Sequence, residues 1–320
     1  MLQLLKDLQN GEQIQTTRLL QEVNFVTKNN RTWADVTLTC PEETVTKVKF
    51  WNVTPQMQQE LEQAQHSVCD ISIQRRDYRN QPGYVLIDYQ PTSADITDFL
   101  PHSFWDQKKL TTDLKKSIKS IKDPEYRQAV QAIYQEVDQL TNQQLMKMPA
   151  AISIHHAFIG GLLTHTLSMY QTAENYLHQE NYQYLNHDLL IAGLLLHDLG
   201  KALAYTNALD HEMSPAGILL DHIPIMDSLI VAYFLQQGAS VADIETKPKI
   251  IDLRHMILSH HGKKEYGSPV VPALPEAELL HLIDRNDATM ETVKEAWDKV
   301  DPHSVSQPLY TVDNMRLLKH

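Results

Sequence analysis

The apolar residues of this chain change their spacing once, near residue 100, and never change back. Before that point they alternate with polar residues in short bursts: Gln13-Ile14-Gln15, Trp33 to Leu38, Val45 to Trp51, Val68 to Ile73 and Tyr84 to Ile87. Alternation at period two, rich in β-branched and aromatic residues, predicts five half-buried strands. Polar breaks such as Lys28-Asn29-Asn30, Cys40 to Glu43 and Asn80 to Gly83 separate them as turns. Pro55 to Gln65 reads as a helix between the third and fourth strands. Three strands, a helix and two strands in so short a stretch is the layout of a small Greek-key barrel of the oligonucleotide-binding (OB) type. Beyond residue 110 the period becomes 3.6, predicting helices at about 111–121, 124–147, 152–180, 187–204, 213–237, 248–261 and 275–298. Pro124 follows Asp123 as a first-turn residue follows an N-cap. The expected fold is therefore α+β and multidomain. A five-stranded OB-type barrel occupies 1–95, a linker and helix 96–123, and an all-α domain 124–320.

Composition narrows what such a chain can do. With 28 Lys and Arg against 40 Asp and Glu, the net charge of −12 gives no general pull toward nucleic acid or anionic lipid, so any such contact must be local. Two cysteines, Cys40 and Cys69, cannot build a disulfide framework or a multi-cysteine zinc site, and they suit a reducing compartment. The start MLQLLKDLQNGEQ lacks the layout of a signal peptide, and no apolar run approaches the roughly 20 residues of a bilayer span. A cytoplasmic protein with no membrane partner is expected. Histidine is the exception to this plain picture: of 16, all but His66 and His102 lie beyond residue 150. Imidazole is the commonest metal ligand and a proton carrier, so the chemistry is expected in the helical half.

Within that half the sharpest feature is His197-Asp198-Leu199-Gly200-Lys201, closing the apolar run Leu189 to Leu196. Adjacent His and Asp can converge on one cation if the helix end leaves room, which Gly200 is expected to provide. Lys201 follows Asp198 by three positions on the same helical face, where its ammonium can meet a phosphate oxygen. Upstream, His155-His156 and His165 flank the pair Gly160-Gly161, which is expected to let a second helix approach closely. Downstream come His222, His260-His261 and Asp284. Asp284 lies on an otherwise apolar face, where an unpaired carboxylate is costly and a cation would satisfy it.

The order His165, His197-Asp198, Asp284 resembles the HD superfamily of metal-dependent phosphohydrolases. The strings HHAFIGGLLTHTLS, LLLHDLGK, SHHGKKEYGSP and LLHLIDRNDATM are similar to its bacterial 3′-to-5′ exoribonuclease branch, in which an oligonucleotide-binding barrel precedes the HD domain. The resemblance implies that His165, His197, Asp198 and Asp284 hold a first metal. His222, His260 and His261 would serve a second metal or the scissile phosphate, with spacing leaving open which of His260 and His261 points inward. Asp287 is the alternative to Asp284 as the final carboxylate. Asp221 stands before His222 where glycine is expected, and the loop Cys40 to Thr44 lacks the expected glycine turn. His178, His187, His211, His255, His281, His303 and His320 receive no role.

Imidazoles and carboxylates without thiolate suit Mn²⁺, with Co²⁺, Fe²⁺ or the more oxygen-loving Mg²⁺ as alternatives, as one or two ions per chain. Such ions acidify water enough to supply hydroxide at neutral pH, so no nucleophilic Ser or Cys is required. Lys201, Asp198 and His222 are the candidate catalytic residues. For holding single-stranded RNA, and single-stranded DNA as a second class, the barrel offers Trp33 and Trp51 as stacking platforms with Lys49 and Arg76 nearby, and Lys263 and Lys264 follow the paired histidines. The resemblance also implies a homo-oligomer. Two rival readings stand beside the exoribonuclease: an HD-type phosphohydrolase acting on a nucleotide or cyclic dinucleotide, and a non-catalytic nucleic-acid-binding protein.

Overall fold

The computed structural model describes residues 4–79, 81–100, 103, 105–151, 158–206, 212–310 and 312–320. Two compact units, Met1–His102 and Ser103–His320, divide the chain within the segment expected as linker and helix.

The first unit is a five-stranded sheet with one helix. Strands β1 (Gln13–Lys28), β2 (Arg31–Cys40) and β3 (Glu43–Phe50) precede α1 (Pro55–Ala64), and β4 (Ser67–Arg75) and β5 (Tyr84–Pro91) follow it. Pro55 opens α1, and Thr54 accepts a hydrogen bond from the Met57 amide at 3.2 Å, so the helix starts where a capping residue and a proline coincide. The hydrogen-bonded order is β1-β2-β3-β5-β4, and β4 pairs back onto β1. All pairings are antiparallel except β3 with β5. The first strand is far longer than the burst Gln13-Ile14-Gln15 predicts. A register shift between Leu20 and Glu22 bends it, so one strand serves two neighbours along different parts of its length. Inward-facing Leu20, Val23, Val36, Leu38, Val48, Ile71, Ile73 and Leu86 make the core, as period two requires.

The second unit is helical: α2 (Gln107–Ser120), α3 (Pro124–Leu140), α4 (Gly161–Leu177), α5 (His187–Leu196), α6 (Lys201–Ala204), α7 (Pro215–Leu220), α8 (His222–Gln236), α9 (Val241–Thr246), α10 (Pro248–Ser259) and α11 (Pro275–Asp298). Asp123 caps α3 through the Glu125 amide at 2.9 Å, with Pro124 in the first turn. In α5 every residue from Leu189 to Leu196 is buried, the pattern of a helix apolar on all sides, and α2, α3, α4, α10 and α11 pack against it.

Four predicted helices are broken: the stretch 124–147 ends its α-helix at Leu140, and Asn142 and Gln143 take positive φ before a short turn at Leu145–Lys147. The stretch 187–204 turns at His197, between α5 and α6. The stretch 213–237 breaks at Asp221, whose φ of 63° and ψ of 168° belong to no helix. Gly160 takes φ 78° at the head of α4, so that helix starts at Gly161, and residues 152–157, with His155 and His156, lie outside the described residues. Gly160 therefore acts chiefly as a turn residue, although Leu110 of α2 does lie close, 3.3 Å from where a Cβ would stand. No helix among the described residues is long and apolar enough to cross a membrane.

Candidate metal centre

Three helices and two turns deliver seven side chains to one place. His165 comes from the second turn of α4, and His197 and Asp198 from the turn after α5. His222 opens α8, His260 and His261 lie in the turn that follows α10, and Asp284 lies in the tenth position of α11. Their ligand atoms fall into two groups, His165 with His197 and Asp284, and Asp198 with His222, His260 and His261, each within 4.8 Å. Sequence reasoning puts Asp198 in the first group alone. Its geometry serves both. Oδ2 lies 3.6 Å from His165 Nε2 and 3.5 Å from His197 Nε2, while Oδ1 lies 3.3 Å from His222 Nε2 and 3.6 Å from His260 Nε2. His165 Nε2 is also 3.3 Å from Asp284 Oδ1 and 3.3 Å from His197 Nε2. Such separations are those of neighbouring ligands on one ion, since bonds of about 2.1 Å opened near the tetrahedral angle span about 3.4 Å.

The tautomers agree with that reading. His197 Nδ1 donates to the Leu194 carbonyl at 2.7 Å, His260 Nδ1 to Ile257 at 2.7 Å and His261 Nδ1 to Tyr266 at 2.8 Å. Each ring therefore keeps its proton on Nδ1 and turns an Nε2 lone pair inward. Asp198 Oδ1, His222 Nε2 and His260 Nε2 are buried without a hydrogen-bond partner. A carboxylate oxygen and two imidazole lone pairs facing one another repel, and burial normally forbids such orphans. A divalent cation satisfies all three, so this donor set fits one.

Three residues outside the two groups hold the site in shape, among them Asp287, the alternative to Asp284 as the final carboxylate. Asp287 Oδ2 accepts from His165 Nδ1 at 2.8 Å and its Oδ1 from Ser168 Oγ at 2.6 Å, which makes Asp287 the residue that orients His165. His281 Nδ1 donates to the His260 carbonyl at 3.0 Å, although its position in sequence carried no sign of a role. Asp221 contacts His222. Gly200 keeps ordinary helical angles, so its use differs from the expected one. A Cβ there would stand 2.3 Å from the His222 carbonyl oxygen, and only glycine lets the two turns meet.

Charge is balanced within the cluster. Burial disfavours ionised Asp198, but Lys201, with Nζ 2.7 Å from Oδ2, and His197 hold its carboxyl well below the ordinary range. Burial likewise works against Lys201, and Asp198 keeps it charged. Burial also works against charged His165, but the carboxylates of Asp284 and Asp287 outweigh it and raise that group to about 10. Burial pushes His260 and His261 down, so both are neutral at neutral pH, each keeping the one proton on Nδ1. Loading the His165 group with a cation therefore releases a proton, and its affinity is expected to rise about tenfold per pH unit between pH 7 and 9. The group with His260 and His261 changes little. Calorimetric Mn²⁺ titrations in buffers of different ionisation enthalpy count the protons, and equal pH dependence at both groups would refute the assignment.

Of the candidate nucleic-acid residues in the first unit, Trp33, Trp51 and Lys49 come together. Trp33 and Trp51 pair with ring centroids 5.6 Å apart, both outside the core of the first unit, and Trp51 is 47% exposed. Lys49 Nζ stands 5.5 Å from the Trp33 ring and pairs with Asp35, which also accepts from Trp33 Nε1 at 3.1 Å. Arg76 follows β4 and donates to Gln74 Oε1 at 2.7 Å. Lys263 pairs with Glu265 at 3.4 Å beside the Tyr266 ring, while Lys264 is exposed on the same turn after His261.

A helical unit with paired imidazole-carboxylate groups centred on a His-Asp dipeptide defines a metal-dependent HD-domain hydrolase of phosphodiester bonds, and residues 162–289 match the family model described as HD domain. Among curated proteins, the 3′-5′ exoribonuclease YhaM of Shouchella clausii is 32% identical over 277 residues, covering 85% of this chain and 82% of the relative. YhaM of a Geobacillus strain is 30% identical over 315 residues, 97% of this chain and 92% of the relative, and YhaM of Bacillus subtilis is 30% identical over 277 residues. The chain belongs to the YhaM family. No solved structure matches it.

Proposed function

We propose that the chain is a metal-dependent 3′-to-5′ exoribonuclease that hydrolyses phosphodiester bonds of single-stranded RNA by attack of water. One observation carries this reading: Asp198 lies between two cation-fitting groups, with one carboxylate oxygen toward each, in a chain that matches proteins named 3′-5′ exoribonuclease over most of their length. Two divalent ions, most naturally Mn²⁺ and otherwise Co²⁺, Fe²⁺ or Mg²⁺, acidify water and neutralise charge at the phosphodiester when bound. His165, His197 and Asp284 hold one, His222, His260 and His261 the other, and Asp198 belongs to both. Lys201, fixed by Asp198, offers its ammonium to a non-bridging phosphate oxygen. Asp198 and His222 orient the reacting groups.

The first unit is read as an OB-type barrel, supported by its circular strand order and the helix between β3 and β4. The paired rings of Trp33 and Trp51 beside Lys49 offer stacking to unpaired bases without sequence preference, so single-stranded DNA is a second substrate class. Arg76, Lys263 and Lys264 serve the phosphate backbone. Trp33→Ala with Trp51→Ala is expected to weaken single-stranded RNA binding about 10- to 100-fold with little change in kcat, since stacking contributes roughly 1–3 kcal/mol per base. Fluorescence anisotropy with a labelled oligonucleotide checks this. Assembly of copies belongs to the same reading, supported by the exposed apolar run Ile218, Leu219 and Leu220, and light scattering on purified protein tests it. A cytoplasmic location is supported by two buried, free cysteines.

The deciding experiment incubates the protein with Mn²⁺ and RNA labelled at its 5′ end, beside His197→Ala with Asp198→Ala. A descending ladder absent from the variant is expected. Phosphate release from a nucleotide with intact RNA points to a small-molecule phosphohydrolase, and tight RNA binding without turnover to a non-catalytic binder.

A further inference from the structure

The backbone at Asp221 is of a kind that only glycine adopts freely, yet an aspartate holds it. Its φ of 63° and ψ of 168° lie in a region that is close to glycine-only, and such strain persists only where surrounding contacts enforce it. Helix capping does not account for this. Asp106, Asp123, Ser214 and Ser240 cap their helices from negative φ and accept from the second or third amide of the helix. Asp221 instead turns back on the residue immediately after it: Oδ1 lies 2.6 Å from the His222 amide nitrogen and 2.6 Å from His222 Nδ1. Its side chain is 65% exposed, so the conformation wins no burial.

The ring it touches is the one histidine of the second group whose Nδ1 has no backbone carbonyl among the hydrogen bonds of the described residues. His260 and His261 each donate to a main-chain oxygen, whereas the Nδ1 partner of His222 is Asp221. With Nδ1 committed as the donor, Nε2 is left as a lone pair, buried without partner and 3.3 Å from Asp198 Oδ1.

We infer that Asp221 is a positioning residue for the second ion: its carboxylate fixes the tautomer and rotation of His222, and the strained backbone exists to bring it there. The inference rests on the two-ion reading. A glycine would adopt the backbone without strain but leave the ring free to rotate, so metal-free stability and metal affinity should separate.

Calorimetric titration of the metal-free full chain with Mn²⁺, for wild type, Asp221→Gly, Asp221→Asn and His222→Ala, tests it together with thermal melting. Wild type is expected to take up two ions and His222→Ala to lose one of them. Asp221→Gly should bind that same ion about 10- to 100-fold more weakly, the usual size for a residue that orients a ligand, while its metal-free melting temperature does not fall. Asp221→Asn, whose Oδ1 still accepts from both nitrogens, should recover most of the affinity. Wild-type affinity in Asp221→Gly, equal weakening of both ions, or no recovery in Asp221→Asn each overturns the inference. A wild type that binds one ion, with no loss in His222→Ala, overturns the two-ion reading beneath it.

Discussion

Asp198→Asn is expected to reduce kcat/KM on single-stranded RNA by about 10⁴-fold, roughly 5.4 kcal/mol of transition-state stabilisation. Three changes coincide in that one substitution. Oδ1 faces His222 and His260 while Oδ2 faces His165 and His197, so an uncharged amide weakens both ligand groups at once. The amide also presents a nitrogen that cannot ligate on one of the two sides. Finally, Lys201 loses the partner 2.7 Å away that keeps it charged in a buried position, and an uncompensated buried charge typically costs 3–5 kcal/mol. Metal titration separates this from an ordinary ligand loss: His165→Ala should weaken one ion and His260→Ala the other, whereas Asp198→Asn should weaken both. Retention of one ion at wild-type affinity in Asp198→Asn would sink the idea of a shared carboxylate.

Gly200→Ala should inactivate although it replaces no ligand. The added methyl would lie 2.3 Å from the His222 carbonyl oxygen, 3.1 Å from its carbon and 3.2 Å from Met226 Cβ. The nearest obstacle is backbone at the start of α8, which cannot rotate aside as a flexible side chain would. The turn carrying Asp198 and the helix carrying His222 must separate, costing about 2–3 kcal/mol as overpacking does. Spreading Asp198 Oδ1 from His222 Nε2 then disrupts the second ligand group. Denaturant unfolding and Mn²⁺ uptake should fall together, and a variant with wild-type stability and activity would show that the two turns are not in obligatory contact.

Much of the fold was legible because burial imposes period. Five strands follow from alternation, the helix between β3 and β4 was read at Pro55 to Gln65, and the helical half follows from its 3.6 spacing. The breaks were less legible. At Asp221 the apolar periodicity continues on both sides, so nothing local announces a residue at φ 63°. At His197 the run is apolar up to the turn, and the residue itself keeps helical angles, so nothing in the pattern marks where α5 ends.

The site divides in the same way. Types and order of residues pointed to the side chains that gather in the two cation-fitting groups, because histidines and carboxylates on apolar helical faces have few satisfied alternatives there. Gly200 was legible as necessary but for the wrong reason, since a close approach to another turn cannot be seen from one segment. Asp287, His281 and Asp221 take their roles from hydrogen bonds to residues of the site, two of them across long sequence separations, and no spacing rule marks them.

By itself the sequence determined the two architectures and the half in which the His and Asp side chains gather, both of which depend on local periodicity and on the cost of burying polar groups. Only the tertiary structure decided that Asp198 faces both groups, that His260 and His261 both turn an Nε2 toward it, and which residues hold them. Those facts depend on the relative placement of helices distant in sequence, which packing sets and composition does not record.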